Sequence, residues 1–421
     1  MLRRSAAPWF AAMVLAAAGC SAPDKPGQPA PQATTMGIAG GIVGGGIGSV
    51  SFDLQRSGVR FVILGADPID WWRASKAVQD SRATGRSIIV RFDAGEGVME
   101  ADGTKPVFPV TGLEYDGRII KLVSDDPGDR QGYVTGGPQR ALARGVGLAL
   151  DSQDDAARAS LDEALAGRLD DPMKALALKT RGTLIQDQVE TRFAAPTADS
   201  DRLLVQALDD LRQAKRLAPN DAETAYQFGE ILLDLGAYDE ALAAYRAMAA
   251  RWSDEGFWTT IRIASVYRLR GQYPQSLGEL DQLARDGAPS GMAYHYHRGW
   301  TLIAMGRNQD AVAEFTTGLE DQPDYEGAFD MRACALARLG RLREALDDEQ
   351  TADRLFRRIP SADPTAPDRV FELRRLAGIE AQLRANIASG RQGPSEAACG
   401  GWWPWRMVRR ARSPMVPPTL D

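Results

Sequence analysis

The sequence predicts a mainly α fold, in which helical hairpins repeat along the chain after a small N-terminal α+β module. Two observations support this prediction. Four glycines, each placed between two amphipathic runs, recur at spacings of 35, 35 and 34 residues: Gly236, Gly271, Gly306 and Gly340. Short runs of β-branched and aromatic residues, which are typical of strands, are concentrated before about residue 135. A chain of 421 residues is long enough for two or three domains.

The first residues have the pattern of an export signal. Arg3 and Arg4 precede a short apolar run, and small residues lead into Cys20. This order is typical of a secretory signal peptide, which we predict over residues 1–19. The apolar run is too short to span a bilayer as a helix.

The residues around Cys20 resemble the lipobox of bacterial lipoproteins, in which the cysteine thiol is acylated and becomes the mature N-terminus. Ala17 stands where that family usually has Leu. The resemblance implies that Cys20 is the lipidation site, and Ser21 after it implies an outer-membrane lipoprotein that faces the periplasm. Several acyl chains would make the anchor stable, because each buried CH₂ contributes about 0.8 kcal/mol. The alternative is an ordinary cleaved signal peptide with an incidental cysteine.

Residues 20–49 are predicted to form the lipid anchor, a Pro-rich tether and a Gly-rich spacer. Pro, Ala and Gln are typical of extended linkers. Several of the following glycines are four residues apart, which resembles the glycine zipper of some envelope proteins, where small residues allow close helix packing. A zipper and a flexible spacer both fit this pattern. A phosphate-binding loop is disfavoured because the sequence predicts no strand before the glycines.

Residues 50–135 predict the small α+β module. Two Asp-Gly pairs, at 102–103 and 116–117, lie between strand-forming runs and predict tight hairpins. Asp67 as N-cap and Pro68 at the first helical position predict a helix between two strands.

The module contains no histidine and no cysteine, which excludes a Ser-His-Asp triad, a Cys-His pair or a His-rich zinc site within it. An enzyme with paired catalytic carboxylates is an alternative, because two carboxyl groups about 5–9 Å apart suffice for glycoside hydrolysis. Asp and Glu beside glycines and in turns are usually solvated, so we predict no catalytic residues. The carboxylates concerned are Asp93, Glu96, Glu100 and Asp102.

From about residue 138 the chain is predicted to be helical, with small residues at two fixed places in each repeat. One place lies five residues after the turn glycine: Ala241, Ser276, Ala311 and Ala345. The other lies earlier in each unit: Gly229, Ala264, Gly299 and Ala333.

This spacing resembles the tetratricopeptide repeat (TPR) family, whose unit has about 34 residues. The resemblance covers four units over 222–356 and, less regularly, two degenerate units over 138–220. It implies an α-solenoid in which neighbouring hairpins stabilise each other, because isolated helices this short are marginal in water. Residues 364–389 are predicted to form a capping helix, and residues 390–421 a disordered Trp/Arg-rich tail.

In the TPR family the first helix of each unit lines a groove that receives peptides. The resemblance therefore implies a scaffold, not an enzyme, that binds protein or peptide segments of the cell envelope. An envelope-assembly lipoprotein of the pilotin type is the alternative, and the carried-over residues could also merely fill space between helices. The positions carried over to the groove are Tyr226, Glu230, Trp258, Ile261, Arg268, Tyr296, Trp300, Asp330 and Arg338.

Composition disfavours nucleic acid as a partner. The net charge of −6 gives no basic face for it.

The histidines and cysteines suggest neither a metal site nor a disulfide framework. His295 and His297 are spaced i, i+2 and so point to different faces of a helix, which disfavours a metal site. Three scattered cysteines predict no disulfide framework, and Cys334 is predicted to be a small buried packing residue. We expect no cofactor and no small-molecule substrate.

Overall fold

The computed structural model describes residues 32–37, 39–44, 49–54, 59–64, 68–100, 105–122, 133–151, 153–192, 197–252, 256–285, 291–358, 367–390, 395 and 399. The predicted signal peptide, Cys20, the Asp-Gly pair at 102–103 and most of the C-terminal tail lie outside the described residues. Within the described part, no helix combines the length and the apolar character needed to cross a membrane.

Nine strands are described: β1 (Gln32–Gly37), β2 (Ala39–Gly44), β3 (Ser49–Leu54), β4 (Arg60–Leu64), β5 (Ile88–Asp93), β6 (Val98–Glu100), β7 (Pro106–Tyr115), β8 (Arg118–Lys121) and β9 (Tyr133–Val134). Helix α1 (Pro68–Thr84) lies between β4 and β5 in the chain. The helices that follow the strands are α2 (Gly137–Leu150), α3 (Asp154–Ala166), α4 (Asp171–Arg192), α5 (Ala198–Leu217), α6 (Ala222–Asp234), α7 (Tyr238–Arg251), α8 (Gly256–Leu269), α9 (Tyr273–Arg285), α10 (Met292–Ala304), α11 (Asn308–Asp321), α12 (Glu326–Arg338), α13 (Leu342–Arg358) and α14 (Pro367–Ala388).

The N-terminal module is a mixed sheet organised around β7. The strands run in the order β1, β5, β7, β4, β3 and β2, with β6 and β8 also paired to β7, and β9 paired to β6. β4 is parallel to β7, whereas β5 is antiparallel to it. Four phenylalanine rings meet on the buried face, where such aromatic pairs add about 0.5–1.5 kcal/mol beyond their area burial. They are Phe52, Phe61, Phe92 and Phe108, all fully buried.

Two local predictions in the module are confirmed. Asp116 and Gly117 join β7 to β8 with φ values of 51° and 73°, the left-handed conformation that a two-residue type I′ hairpin requires. Helix α1 begins at Pro68, whose fixed φ is suited to the first turn and whose missing N–H costs nothing there.

The described residues of the Gly-rich stretch, 37 and 39–44, are part of the sheet, so the prediction that residues 20–49 form a tether and a spacer is wrong for β1 and β2. β1 pairs with β5 over six consecutive residues, and β2 pairs with β3. Ala33 and Ala39 are fully buried. Backbone hydrogen bonds to long-range partners therefore compensate for the weak strand propensity of glycine. The zipper interpretation fails with the spacer, because β2 is extended and not helical.

The helical part consists of hairpins that pack in series. Within each hairpin the first and second helices pair as α2 with α3, α4 with α5, α6 with α7, α8 with α9, α10 with α11 and α12 with α13. Each second helix also contacts the first helix of the following hairpin, and α14 packs on α13 at the end. The predicted fold class is therefore correct: an α-solenoid of TPR-like helical hairpins with a small N-terminal α+β module.

The recurring glycines end the first helices for a conformational reason. All four adopt a positive φ, between 74° and 78°, which L side chains rarely adopt. At the first turn, Gly236 N–H donates to the Leu233 carbonyl at 3.0 Å and Ala237 N–H donates to the Leu232 carbonyl at 2.9 Å. This is the Schellman pattern, which provides hydrogen-bond donors for the last carbonyl groups of a helix.

The small residues earlier in the first helices allow a ring from the second helix to approach. A Cβ added at Gly229 would lie 2.7 Å from the Tyr245 ring, and one added at Gly299 would lie 2.8 Å from the Phe315 ring. Tyr245 and Phe315 are both fully buried. In these two hairpins a ring of the second helix thus fills the space left by the glycine of the first.

The first hairpin packs directly on the sheet. A Cβ added at Gly147 of α2 would lie 2.8 Å from the Phe108 ring of β7 and 3.0 Å from the Ala94 methyl group. Gly145 of α2 is equally close to Leu161 of α3. The sheet, α2, α3 and the start of α4 consequently share one hydrophobic core.

We predict that Gly229→Leu lowers the thermal stability of the chain. The added side chain would overlap the Tyr245 ring, and overpacking of this kind costs roughly 1–3 kcal/mol. Gly278→Leu is the matched control, because the exposed helical Gly278 has no atom within 4 Å of an added Cβ. Melting curves followed by circular dichroism should show a lower Tm for the first variant only. Equal melting temperatures for both variants would contradict the close helix contact.

Candidate functional site

The first helices α6, α8, α10 and α12, continued by α14, form one layer of the solenoid, which we call the first-helix face. Polar contacts join each neighbouring pair. Four arginines provide them, and we call this set the arginine ladder: Arg262, Arg268, Arg338 and Arg375.

The first two arginines of the ladder, Arg262 and Arg268, join α6 to α8 and α8 to α10. Arg262 Nε donates to the Tyr226 hydroxyl at 2.5 Å and lies 3.1 Å from Glu230 Oε1. The Arg268 guanidinium lies 4.1 Å from the centre of the Trp300 ring. Such cation–π contacts are strongest where water is excluded, and Arg268 is only 4% exposed.

The last two arginines of the ladder, Arg338 and Arg375, join α10 to α12 and α12 to α14. Arg338 Nη1 donates to the Ile303 carbonyl at 3.2 Å. Arg375 Nη2 donates to Asp330 Oδ2 at 3.0 Å. A planar guanidinium suits these contacts because its donors are arranged in a fixed fork. Each first helix is therefore held to the next in a defined register.

Six of the nine predicted groove residues are buried between helices and do not line an open groove. Each is less than a tenth exposed, so the predicted groove exposure is wrong for them. They lie where each first helix meets its neighbours, and the packing of successive hairpins closes this space. The six residues are Tyr226, Glu230, Ile261, Arg268, Tyr296 and Asp330.

The other three predicted residues keep part of their surface accessible. Trp258, Trp300 and Arg338 are half-buried and lie on α8, α10 and α12, three successive first helices. The Trp300 ring is held between Arg268 and Tyr296, whose ring centre is 5.7 Å away in an edge-on arrangement. One side of this indole is thus fixed by packing, while another side remains exposed.

Glu230 is a buried carboxylate with several donors around it. Its side chain is 2% exposed, accepts a hydrogen bond from the Tyr245 hydroxyl, and forms an ion pair with Arg262. Burial, followed by the Glu230 charge, raises the pKa of the Tyr245 phenol well above its usual value. A buried charge is tolerated only when it is paired in this way, so Glu230 is a structural contact and not a ligand-binding group.

The two neighbouring histidines point in different directions, as their spacing predicted. His295 Nδ1 lies 2.8 Å from Glu314 Oε2 of α11. His297 is 2% exposed and packs beside Trp300, with ring centres 6.2 Å apart. Burial, then the charges of Arg268 and Arg262, lower the pKa of His297 well below its usual value, so this imidazole is neutral at neutral pH.

The last hairpin contains a buried acid where other units have a large apolar residue. Glu349 of α13 is fully buried, close to Asp330, which pairs with Arg375. Burial, followed by the Asp330 charge, raises the pKa of Glu349 to about 10. Glu349 is therefore protonated at neutral pH, and this form can be buried at much lower cost than a carboxylate.

The sequence analysis missed a covalent contact on the first-helix face. Cys334 of α12 and Cys399 form a disulfide, with Cα atoms 4.7 Å apart. Cys334 is buried as predicted, but it is bonded and does not act as a packing residue alone. The prediction of a disordered tail over 390–421 is likewise wrong at Ser395, which is 4% exposed, and at Cys399. An available signal was that two cysteines remain once Cys20 is assigned to the anchor, an even number in an exported chain.

The carboxylates of the N-terminal module that the structure describes have structural partners. Asp93 Oδ1 accepts a hydrogen bond from the Gly95 N–H at 2.8 Å and so stabilises a turn. Glu100 forms an ion pair with Arg60, and Glu96 lies 3.7 Å from an Arg140 nitrogen. Asp102 lies outside the described residues.

Comparisons with known proteins find distant structural neighbours only. No family model and no curated protein matches the chain. Among solved structures, a tetratricopeptide repeat protein from Parabacteroides merdae is 15% identical, with 65% of this chain and 98% of that one covered and a TM-score of 0.42. A TPR repeat-containing protein from Cytophaga hutchinsonii is 14% identical, with coverages of 59% and 90% and a TM-score of 0.37. MamA from Desulfovibrio magneticus RS-1 is 20% identical, with coverages of 48% and 96% and a TM-score of 0.29.

The fold assignment rests on the repeat geometry described above. Stacked helical hairpins of this type present extended surfaces that are used for protein interaction. The fold of this chain is therefore one that can present such a surface.

We predict that Glu349→Gln reduces the loss of stability with rising pH. The folded chain keeps a proton on Glu349 up to about pH 10, whereas the unfolded chain releases it near the ordinary value of 4.5. The stability contributed by this group is therefore fully present below about pH 4.5 and is lost progressively as the pH rises towards 10.

The measurement is Tm at intervals between pH 5 and pH 9, with the exposed Glu320→Gln on α11 as the matched control. Tm of the Glu349 variant should fall less steeply than Tm of the wild type and of the control. Parallel curves for all three chains would contradict a buried, protonated Glu349.

Proposed function

We propose that the chain is a lipid-anchored adaptor that binds segments of other cell-envelope proteins on its first-helix face and has no catalytic activity of its own. The observation that carries this proposal is the placement of Trp258, Trp300 and Arg338, all half-buried, on three successive first helices. Trp and Arg are among the residue types that most often dominate the binding energy of protein interfaces.

The arginine ladder supports this role because it holds the surface in one arrangement before a partner arrives. Binding to a surface that is already ordered loses less conformational entropy than binding to a mobile one. Trp300 is fixed by Arg268 and Tyr296, and Arg338 is oriented by the Ile303 carbonyl. An extended or helical segment with apolar and carboxylate side chains would match these groups, since a guanidinium can bind a carboxylate through two hydrogen bonds.

The Cys334–Cys399 disulfide supports an exported location, because disulfides persist in oxidising compartments and are rare in the cytosol. Together with the lipobox-like sequence at Cys20, it favours a protein that is attached to the outer membrane and faces the periplasm. The carboxylates of the sheet module serve in turns and ion pairs, which favours an adaptor over an enzyme with a carboxylate pair.

If Cys20 is the lipidation site, cells grown with radiolabelled palmitate should incorporate the label into the wild-type chain. Cys20→Ala should abolish the labelling and shift the chain from the membrane to the soluble periplasmic fraction, because the acyl chains supply the membrane affinity. Cys399→Ser serves as the control for a cysteine outside the lipobox. Label retained by the Cys20 variant would contradict the anchor.

We predict that Trp258→Ala weakens partner binding by about 2 kcal/mol, the scale of an interface hot spot. The partner is first identified by affinity capture from crosslinked envelopes, and its binding segment is then titrated against purified variants. Thr317→Ala, an exposed position on the second helix α11, is the matched control. Unchanged circular dichroism would show that the fold is intact. Equal affinity of both variants would place the binding site elsewhere, with the sheet module as the next candidate.

A further inference from the structure

Strand β8 forms an open edge of the sheet. It pairs with β7, and within the described residues no other strand lies beside it. Arg118 and Lys121 are exposed, and Ile119 is 60% exposed, more than any other large apolar side chain in the described part of the chain. Such an edge presents backbone N–H and C=O groups with which another strand can pair.

The register of the β7–β8 hairpin shows which backbone groups point outwards. In an antiparallel pair, residues that bond to the neighbouring strand alternate with residues whose N–H and C=O groups point away from it. The Leu122 N–H donates to the Thr111 carbonyl of β7 at 2.9 Å, so the backbone groups of Ile120 also face β7. Those of Ile119 and Lys121 therefore face away from β7, where an added strand can bond to them.

The hairpin is held in place before any partner binds. Asp116 Oδ1 accepts a hydrogen bond from Arg86 Nη1 at 3.3 Å, and the Tyr115 hydroxyl oxygen lies 2.9 Å from the Thr84 hydroxyl oxygen. Both contacts join the hairpin to the end of α1 and the residues that follow it. An edge that is already ordered loses less conformational entropy on binding than a mobile one.

The side chains of β8 select the chemistry of an added strand. Arg118 and Lys121 stand at its two ends, with two isoleucines between them. Opposite charges directly across a strand pair stabilise it, whereas like charges destabilise it. A strand with the order acid, apolar, apolar, acid therefore complements β8 in either direction. Two copies of β8 paired antiparallel would place Arg118 opposite Lys121, so the same charges disfavour pairing between copies.

We propose that β8 is a binding site for an extended segment of another protein, which adds to the sheet edge and carries the order acid, apolar, apolar, acid. Backbone hydrogen bonds to Ile119 and Lys121 provide affinity, and the side chains of β8 provide selection. The site shares no residue with the first-helix face and does not depend on the function proposed above.

The probe is the peptide Thr-Glu-Val-Ile-Glu-Thr with an N-terminal fluorophore, and Thr-Lys-Val-Ile-Lys-Thr is its matched control. Fluorescence anisotropy with the full chain should show the acidic peptide binding at least about tenfold tighter than the basic one, because two cross-strand charge pairs change from attractive to repulsive. A chain with both Arg118→Glu and Lys121→Glu should have the reverse preference. Trp258→Ala should leave both affinities unchanged.

A proline substitution distinguishes strand addition from binding by side chains alone. Lys121→Pro removes an outward N–H donor and leaves the hydrogen bonds to β7 in place, since proline is tolerated on an edge strand where its nitrogen faces solvent. Lys121→Ala removes the same charge and keeps the donor. The proline variant should bind the acidic peptide about fivefold more weakly than the alanine variant, the scale of one lost hydrogen bond. Circular dichroism should be the same for both variants.

Equal affinity of the wild-type chain for the two peptides would overturn the proposal, as would equal binding by the proline and alanine variants. Weaker peptide binding by Trp258→Ala would move the site to the first-helix face and also overturn it. Because Trp258→Ala tests the first-helix face and the β8 substitutions test the sheet edge, either proposal can fail while the other stands.

Discussion

Four hairpins of the solenoid depend on one close contact, in which a large side chain from the second helix fits against a glycine of the first, and in two of them this side chain is a ring. Gly229 with Tyr245 and Gly299 with Phe315 show the contact most clearly. The paired helices have 13 or 14 residues and would be marginal in isolation. Because the ring replaces the missing side chain, the two helices can approach closely enough to bury a common apolar surface. Substituting any larger group for the glycine would move the first helix and, with it, the register of the next hairpin.

The arginine ladder follows from that register. Once first helices lie side by side, long polar side chains such as Arg262 and Arg375 are carried into the space between them, away from water. They can remain there only if each meets a matching group, and Glu230 and Asp330 provide the negative charges. Buried ion pairs add little net stability compared with apolar packing, but a mismatched register would leave a charge unpaired at high cost. The ladder therefore specifies how the units stack, and it leaves the exposed side of Trp300 in a fixed position.

The repeat could be predicted because its requirements are local: a positive φ at Gly236 and small side chains at fixed distances from it. β1 and β2 could not, because glycine-rich strands have a weak pattern and form only through partners far along the chain, such as β5 for β1. The residues of the candidate site could be chosen by their place in the repeat, but their exposure depends on how closely successive units pack. Tyr296 and Trp300 lie four residues apart on one helix, yet only Trp300 keeps accessible surface. The disulfide joins residues 65 positions apart and has no local signature.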